Sequence, residues 1–349
     1  MTRATIADVA RVAGVSIKTA SRVLNREPHV SREKQAMVEQ AMLTLDYRPS
    51  QIARSLKGSR SFQIALLYDN PSAAYFQAMH DGAKRLCDAS GFRLMAQACG
   101  VHAPNMVSEI VALVDDLRIE GLILSPPLTD CRPLLDALDA RRVPFVRIAP
   151  TVALERAGFT LMDDMSAAEQ ATTYLISLGH RAIGFVLGHP DHGAAAQRFE
   201  GYRHALRKAD LPFDDKLTAQ GAFTFASGQE AGRQLLNRAN RPSAIFACND
   251  DMAAGVLAYA HEAGIEVPGD LSIMGFDDNQ IARMIWPPLT TVRQPVQALA
   301  YGAARLLIDR LETGHDATMT FDFELIERGS TCHAAPQQNS SGHAPVKTA

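Results

Sequence analysis

The sequence predicts an α/β protein with an all-helical head and a two-lobed body of parallel sheets flanked by helices. Three observations carry this. Residues 1–48 show only helix-period apolar stripes bounded by capping residues. From Phe62 onward, short apolar runs alternate with longer amphipathic segments, the pattern of parallel strands joined by helical crossovers. The charge is also lopsided. Residues 1–60 hold 11 Lys/Arg against 5 Asp/Glu, although the whole chain of 349 residues carries a net charge of −3. A basic head on an acidic body suggests that the head meets a polyanion.

In the head, Thr5 followed by Asp8 has capping-box spacing, with Asp in place of the usual Glu. Ile6, Val9, Ala10 and Ala13 then form one apolar stripe. Gly14 stops this helix and permits a sharp turn. Ser16 can cap a second helix, Ile17 to Leu24, whose Ala20, Val23 and Leu24 could face a core. Ser31 can cap a third, with Val38, Ala41, Met42 and Leu45 on one face. Pro49 can open a fourth helix of about two turns and Gly58 can close it. The expected divisions are an all-helical head over 1–48 and a short helix with linker over 49–61.

The body, 62–333, contains the runs "FQIALLY", "FRLMAQA", "GLILSPP", "VPFVRIA", "GFTLM", "AIGFVLG", "AIFACND" and "LSIMGFDD". About 270 residues is large for one sheet, so two similar lobes fit better. The join is placed near Pro150–Gly158. That gives a first lobe over 62–155 with a returning segment near 292–320, introduced by "WPPLTTVRQP". The second lobe spans 158–290 with a late strand. The polar tail, 334–349, reads as disordered. No run of 18 apolar residues predicts a membrane span, and the N-terminus lacks a signal-peptide core, so a cytoplasmic protein with no membrane partner is expected. Five cysteines without CxxC spacing read as reduced thiols, with no metal site or cofactor.

Helix, glycine turn, helix is the plan of a helix-turn-helix, whose second helix lies in the major groove. Lys18 and Arg22 are i,i+4 neighbours that can donate to guanine or phosphate. Ser16, Thr19 and Ser21 can anchor phosphates near the positive helix end. Ile17 suits a thymine methyl, and Asn25 lies on the same outward face. Thr5 and His29 complete the candidate DNA contacts. An ordinary amphipathic helix with a solvated face is the competing reading. Agreement of capping, spacing and charge argues against it.

Two doubly wound lobes leave a cleft at the carboxyl ends of their strands. Asn70 and Ser72, Asn249 and Asp250, and Asp277 sit at such ends, and Arg198 opens the helix "RFEGYRHAL". Paired hydrogen-bonding atoms on Asp, Asn and Arg suit adjacent hydroxyls, and Tyr75, Phe76 and Phe223 could stack on a flat apolar face. Core packing for Phe76, turn bracing for Asp277 and helix capping for Asp250 are the alternatives. "GHPDHG", with His189, Asp191 and His192, could ligate a cation, but no further ligands cluster with it. Asp250–Asp251 and Asp277–Asp278 are adjacent along the chain and make poor acid/base pairs. No GxGxxG, P-loop or GxSxG is present, so an enzyme is not expected.

The stretches "TIADVARVAGVSIKTASRVLN" and "VSREKQAMVEQAMLTLDYRPSQIARSL" closely resemble the head of the lactose/galactose repressor family. "LISLGHRAIGFVLG", "RFEGYRHAL", "FACNDDMAAGVL", "LSIMGFDD" and "LTTVRQP" carry the resemblance to about residue 330. Ala20 departs from the more usual valine there. The resemblance implies a periplasmic-binding-protein-like body and a homodimer on palindromic double-stranded operator DNA. It implies a hinge helix around Pro49–Lys57 that inserts Leu56 into the minor groove. It also assigns effector contacts to Arg198, Asn249, Asp277 and Phe223, with Tyr75 and Phe76 lining the cleft from the other lobe. The expected function is a repressor of carbohydrate or glycoside uptake and catabolism, released by a small sugar-like inducer. A purine-type corepressor mechanism, or a global regulator answering a protein partner, is the alternative. Tetramers of the family use a C-terminal leucine heptad, absent after Thr331, so a dimer is expected.

Overall fold

The structure, a computed structural model, describes residues 4–24, 30–45, 47 and 60–335. The chain divides at Phe62 into a small and a large unit. The small unit holds α1 (Ile6–Val12), α2 (Ile17–Leu24) and α3 (Arg32–Thr44). Thr5 and Asp8 form the reciprocal capping box. Hydrogen bonds from Thr5, and then from Arg11, hold the Asp8 carboxyl at about 2. Gly14 takes φ +63°, the left-handed turn between α1 and α2. Ser16 Oγ accepts the Thr19 amide at 3.1 Å and Ser31 Oγ the Lys34 amide at 3.5 Å. Val9, Ala10, Ala13, Ala20, Val38 and Ala41 make the core, with Val23, Met42 and Leu45 packed on it. Asn25, His29 and the helix expected over Pro49–Lys57, with Leu56, lie outside the described residues.

The large unit runs β1 (Gln63–Tyr68), α4 (Ala73–Ser90), β2 (Arg93–Ala98), α5 (Met106–Leu117), β3 (Gly121–Leu124), α6 (Arg132–Ala140), β4 (Phe145–Ile148) and β5 (Phe159–Leu161). Next come α7 (Asp164–Ser177), β6 (Ile183–Leu187), α8 (Gly193–Lys208), β7 (Thr218–Gln220), α9 (Phe225–Leu236), β8 (Ala244–Ala247), α10 (Asp250–Glu262) and β9 (Ser272–Asp277). It ends with α11 (Ile281–Met284), β10 (Thr290–Arg293), α12 (Val296–Thr313), β11 (Thr318–Thr320) and β12 (Glu324–Ile326). The first sheet has the order β11-β5-β4-β3-β1-β2 and is parallel throughout. The second has the order β12-β10-β9-β8-β6-β7, with β12 antiparallel.

Strands covered on both faces need continuous apolar runs. β3, β4 and β8 are accordingly buried at every position. The helices supply the cover by 3.6-residue stripes. On α4, Tyr75, Met79, Ala83 and Leu86 are buried, and Gly91 in the left-handed conformation ends the helix.

Sheet membership corrects the sequence boundaries. β5 pairs with β4 and β11, so "GFTLM" belongs to the first sheet and the chain crosses at Met162–Asp163, not between Pro150 and Gly158. β10 pairs with β9, so the return at 292 begins too early, and the crossing back is Gln294–Pro295. Short strands at a domain crossing carry little pattern of their own, and their neighbours decide the sheet. The third crossing joins β11 to β12, the late strand of the second sheet. The tail also starts later than expected, because the Ala334 amide donates to the Leu178 carbonyl at 2.9 Å. Residues 336–349 lie outside the described residues.

Candidate functional site

The carboxyl ends of both sheets meet in a cleft lined by Asn70, Ser72 and Tyr75 from the first lobe and His192, Arg198, Phe223, Asn249 and Asp277 from the second. Pro126, Ala149, Ala194 and the crossing residue Gln294 complete it. The enclosed space is about 30 Å³. Among the described residues, two side-chain hydrogen bonds join the lobes across it. Ser72 Oγ donates to Asp251 Oδ2 at 2.8 Å, and His102 Nε2 meets Asp191 Oδ2 at 2.6 Å.

Each polar group is fixed by its own element. Asn70 Oδ1 accepts the Ser72 amide at 2.8 Å, and Ser72 caps α4. Asn249 caps α10 through the Met252 amide at 3.0 Å, and its Nδ2 donates to the Phe223 carbonyl at 3.1 Å. Phe223 sits at φ +60° with its ring against Gly188, where a Cβ would fall 2.2 Å from the ring. Only glycine leaves room for it. Arg198 is 4% exposed and flat over the Phe276 ring, 3.6 Å from its centroid. Its Nε donates to Asp164 Oδ1 at 2.7 Å, Nη1 to the Cys248 carbonyl at 2.7 Å and Nη2 to Gln294 Oε1 at 3.3 Å. A buried guanidinium held this way is a fixed donor and cannot swing into water.

Asp277 stands at φ +113° and Asp278 at φ +54°. This backbone turns the two carboxylates apart. Asp278 takes Arg283, Arg293 and Arg328, while Asp277 faces the cleft with no side-chain hydrogen bond among the described residues. Burial pushes the Asp277 carboxyl up to about 7, against the pull of Arg198. Burial likewise lowers His192 to about 4, so its ring is neutral near neutral pH. That ring packs edge-on to Phe223, centroids 5.0 Å apart, and makes no hydrogen bond among the described residues. The cleft thus offers a fixed cation, a carboxylate of adjustable charge, a neutral imidazole, three amide side chains and two aromatic rings. Such a set can hydrogen-bond a small polyhydroxyl molecule and pack against an apolar face of it.

In the head, α2 presents Ile17 (55% exposed), Lys18 and Arg22 on its open face, with Thr19 and Ser21 half-buried. Thr5 is tied up in the capping box, its hydroxyl donating to Asp8 at 2.8 Å. Ser16 Oγ likewise lies 2.9 Å from Thr19 Oγ1.

Residues 5–50 match "Bacterial regulatory proteins, lacI family", and residues 172–331 match "Periplasmic binding protein-like domain". The ribose operon repressor of Escherichia coli (strain K12) is 36% identical over 335 residues, covering 94% of this chain and 99% of that protein. The chain belongs to the lacI family. Among solved structures, the transcriptional regulator CelR–cellobiose complex is 30% identical with a TM-score of 0.73, covering 94% of this chain and all of that one. The lac repressor dimer bound to operator and the anti-inducer ONPF is 27% identical with a TM-score of 0.74, covering 95% of this chain and all of that one.

Within this lacI-family body, seven of the eight sequence-derived effector residues lie together: Asn70, Ser72, Tyr75, Arg198, Phe223, Asn249 and Asp277. Phe76 does not line the cleft. One position along α4 from Tyr75, its ring stacks on Tyr68 with centroids 4.0 Å apart. Arg198 lies five residues into α8, which begins at Gly193 and not at "RFEG". Its carboxylate hydrogen-bond partner is Asp164, a residue that the sequence reading did not single out. Gln294 and His192 were missed. Gln294 follows β10 at a strand's carboxyl end, the rule that found Asn249, so it was within reach. His192 was read only as part of a cation loop. In that loop the Asp191 amide donates to His189 Nδ1 at 3.3 Å, and no group of three ligating side chains suits a metal among the described residues.

Proposed function

We propose that this chain is a transcriptional repressor that binds a palindromic operator as a homodimer through α2 and releases it when a small sugar or glycoside occupies the cleft. The observation that carries the sugar reading is the side-chain set around Asp277, Arg198 and His192, with Tyr75 and Phe223 as apolar walls. Bidentate groups beside an aromatic face match adjacent hydroxyls on one side of a ring and C–H groups on the other. The cellobiose complex of a relative and the ribose operon repressor support the same class. Lys18, Arg22 and Ile17 are the proposed base readers, with Ser16, Thr19 and Ser21 toward phosphate. Effector acts by favouring one lobe arrangement over another. The protein carries no catalytic task in this reading and works in the cytoplasm. No described helix is long and apolar enough to cross a membrane.

The test is a thermal-shift screen of sugars, glycosides and nucleobases, followed by operator titration with each hit. A sugar hit that lowers operator affinity supports the reading. A nucleobase hit that raises operator affinity replaces it with corepression.

A further inference from the structure

Three residues that line the cleft are helix N-caps: Ser72 of α4, His192 of α8 and Asn249 of α10. Three positive helix ends therefore open on one space, and such ends attract phosphate. Here each of them already has a carboxylate. Asp250 and Asp251 occupy the first turn of α10. Asp251 Oδ2 also accepts the Ser72 hydroxyl at the start of α4, at 2.8 Å. Asp191 stands directly before His192 at the start of α8.

The side-chain charge runs the same way. Among the described residues, Arg198 is the one Lys or Arg in the lining. A guanidinium has about five N–H donors, and Arg198 spends three on Asp164, the Cys248 carbonyl and Gln294. The His192 ring, neutral near neutral pH, adds no cation. A phosphate monoester carries about −1.5 to −2 at pH 7. It would enter a space where a single guanidinium stands among Asp164, Asp251 and Asp277. Like charges brought together in a desolvated site oppose binding strongly. A sugar hydroxyl meets no such opposition, because carboxylates accept from it.

We propose that the cleft takes an uncharged sugar and rejects its phosphate ester and its acid, with Asp251 and Asp277 as the residues that exclude the anion. This selectivity rests on the sugar reading of the cleft and names the form that is sensed, the sugar before phosphoryl transfer. Once phosphorylated, the same sugar is silent.

The full chain is titrated by calorimetry at pH 8 with D-ribose and D-ribose 5-phosphate, D-glucose and D-glucose 6-phosphate, and cellobiose and its 6-phosphate. Asp277, held at about 7, is ionised there. Asn249→Ala should remove cleft binding and so marks any heat that arises at the basic head. For each sugar that binds, the ester should bind at least about tenfold more weakly. Asp251→Asn and Asp277→Asn keep the side-chain shape and remove one charge each. Each should strengthen the ester by about threefold or more while melting cooperatively. An ester that binds as tightly as its sugar overturns the proposal and leaves the sugar reading standing. An ester rejected equally by the parent and by both variants is excluded by shape, which also overturns it. A panel in which neither member of any pair binds overturns the sugar reading, and the selectivity falls with it.

Discussion

Replacing Asp277 by Asn tests the cleft's chemistry in a single atom. The carboxyl sits near 7 because burial disfavours its charge more than Arg198 favours it. Between its ordinary value of 3.8 and about 7 the folded state therefore holds a proton that the unfolded state has lost. Stability then falls as pH rises through this window and levels off above it. At about 1.4 kcal/mol per pH unit, the upper bound is about 4 kcal/mol. Asn carries no charge, so the variant should be more stable than the parent at pH 8, and the two should converge near pH 4. Effector affinity should move the other way. The ionised carboxylate is the stronger acceptor, and a charged hydrogen bond exceeds a neutral one by about 1 kcal/mol. The parent should bind effector about five- to tenfold more tightly than Asp277→Asn at pH 8, and the advantage should vanish by pH 5.5. His192 stays neutral over that range and does not contribute. The assays are urea unfolding and calorimetric effector titration at pH 5.5, 7 and 8. A parent affinity flat across that range, or an Asn variant equal to the parent at pH 8, refutes the reasoning.

Other substitutions probe other links. Arg198→Ala leaves Asp164 buried without its cation, so the body should lose about 3–5 kcal/mol in urea unfolding, and a loss under 1 kcal/mol would show that Asp164 finds another partner. Lys18→Ala or Arg22→Ala should each cost about 1–3 kcal/mol on operator DNA. Equal loss on random DNA would confine them to phosphate. Ser72→Ala removes the Oγ–Asp251 link and the α4 cap, so the body should lose about 1 kcal/mol and small-angle scattering should show wider lobes. An unchanged scattering curve would mean that the link does not set the cleft. Light scattering at micromolar concentration should give a dimer, and a stable tetramer would contradict the reading of the tail.

Periodicity and capping made the three head helices legible, because a short helical unit is nearly all local signal. Thr5, Gly14, Ser16 and Ser31 do in the structure what their residue types suggest. The eight apolar strand runs in the body were equally plain, as with the buried Ile64–Leu67, but the three-residue strands Thr218–Gln220 and Thr318–Thr320 are too short and polar to show a pattern and were not read. Sheet membership was not plain. Whether Phe159–Leu161 joins the first or the second sheet depends on partners 12 and 159 residues away, and no local pattern encodes that. The same limit applied in the cleft. Strand ends pointed to Asn249 and Asp277, but the partner of Arg198 is 34 residues back along the chain. Phe76 failed for a finer reason. One residue along a helix turns a side chain by about 100°, enough to send it from the cleft to Tyr68.

The small interior of the cleft also bears on time. With the lobes tied by Ser72–Asp251 and His102–Asp191 the enclosed space is about 30 Å³, and we expect a sugar to enter as the lobes part. Association should then saturate as concentration rises, with a ceiling set by the opening rate of the lobes and not by diffusion. The apparent affinity is weakened by the fraction of molecules that are open at any instant. His102–Asp191 sets that fraction from outside the cleft lining, and Ser72–Asp251 sets it from the lining itself. They would act as a timer, deciding how long a pulse of nutrient must last before the operator is released.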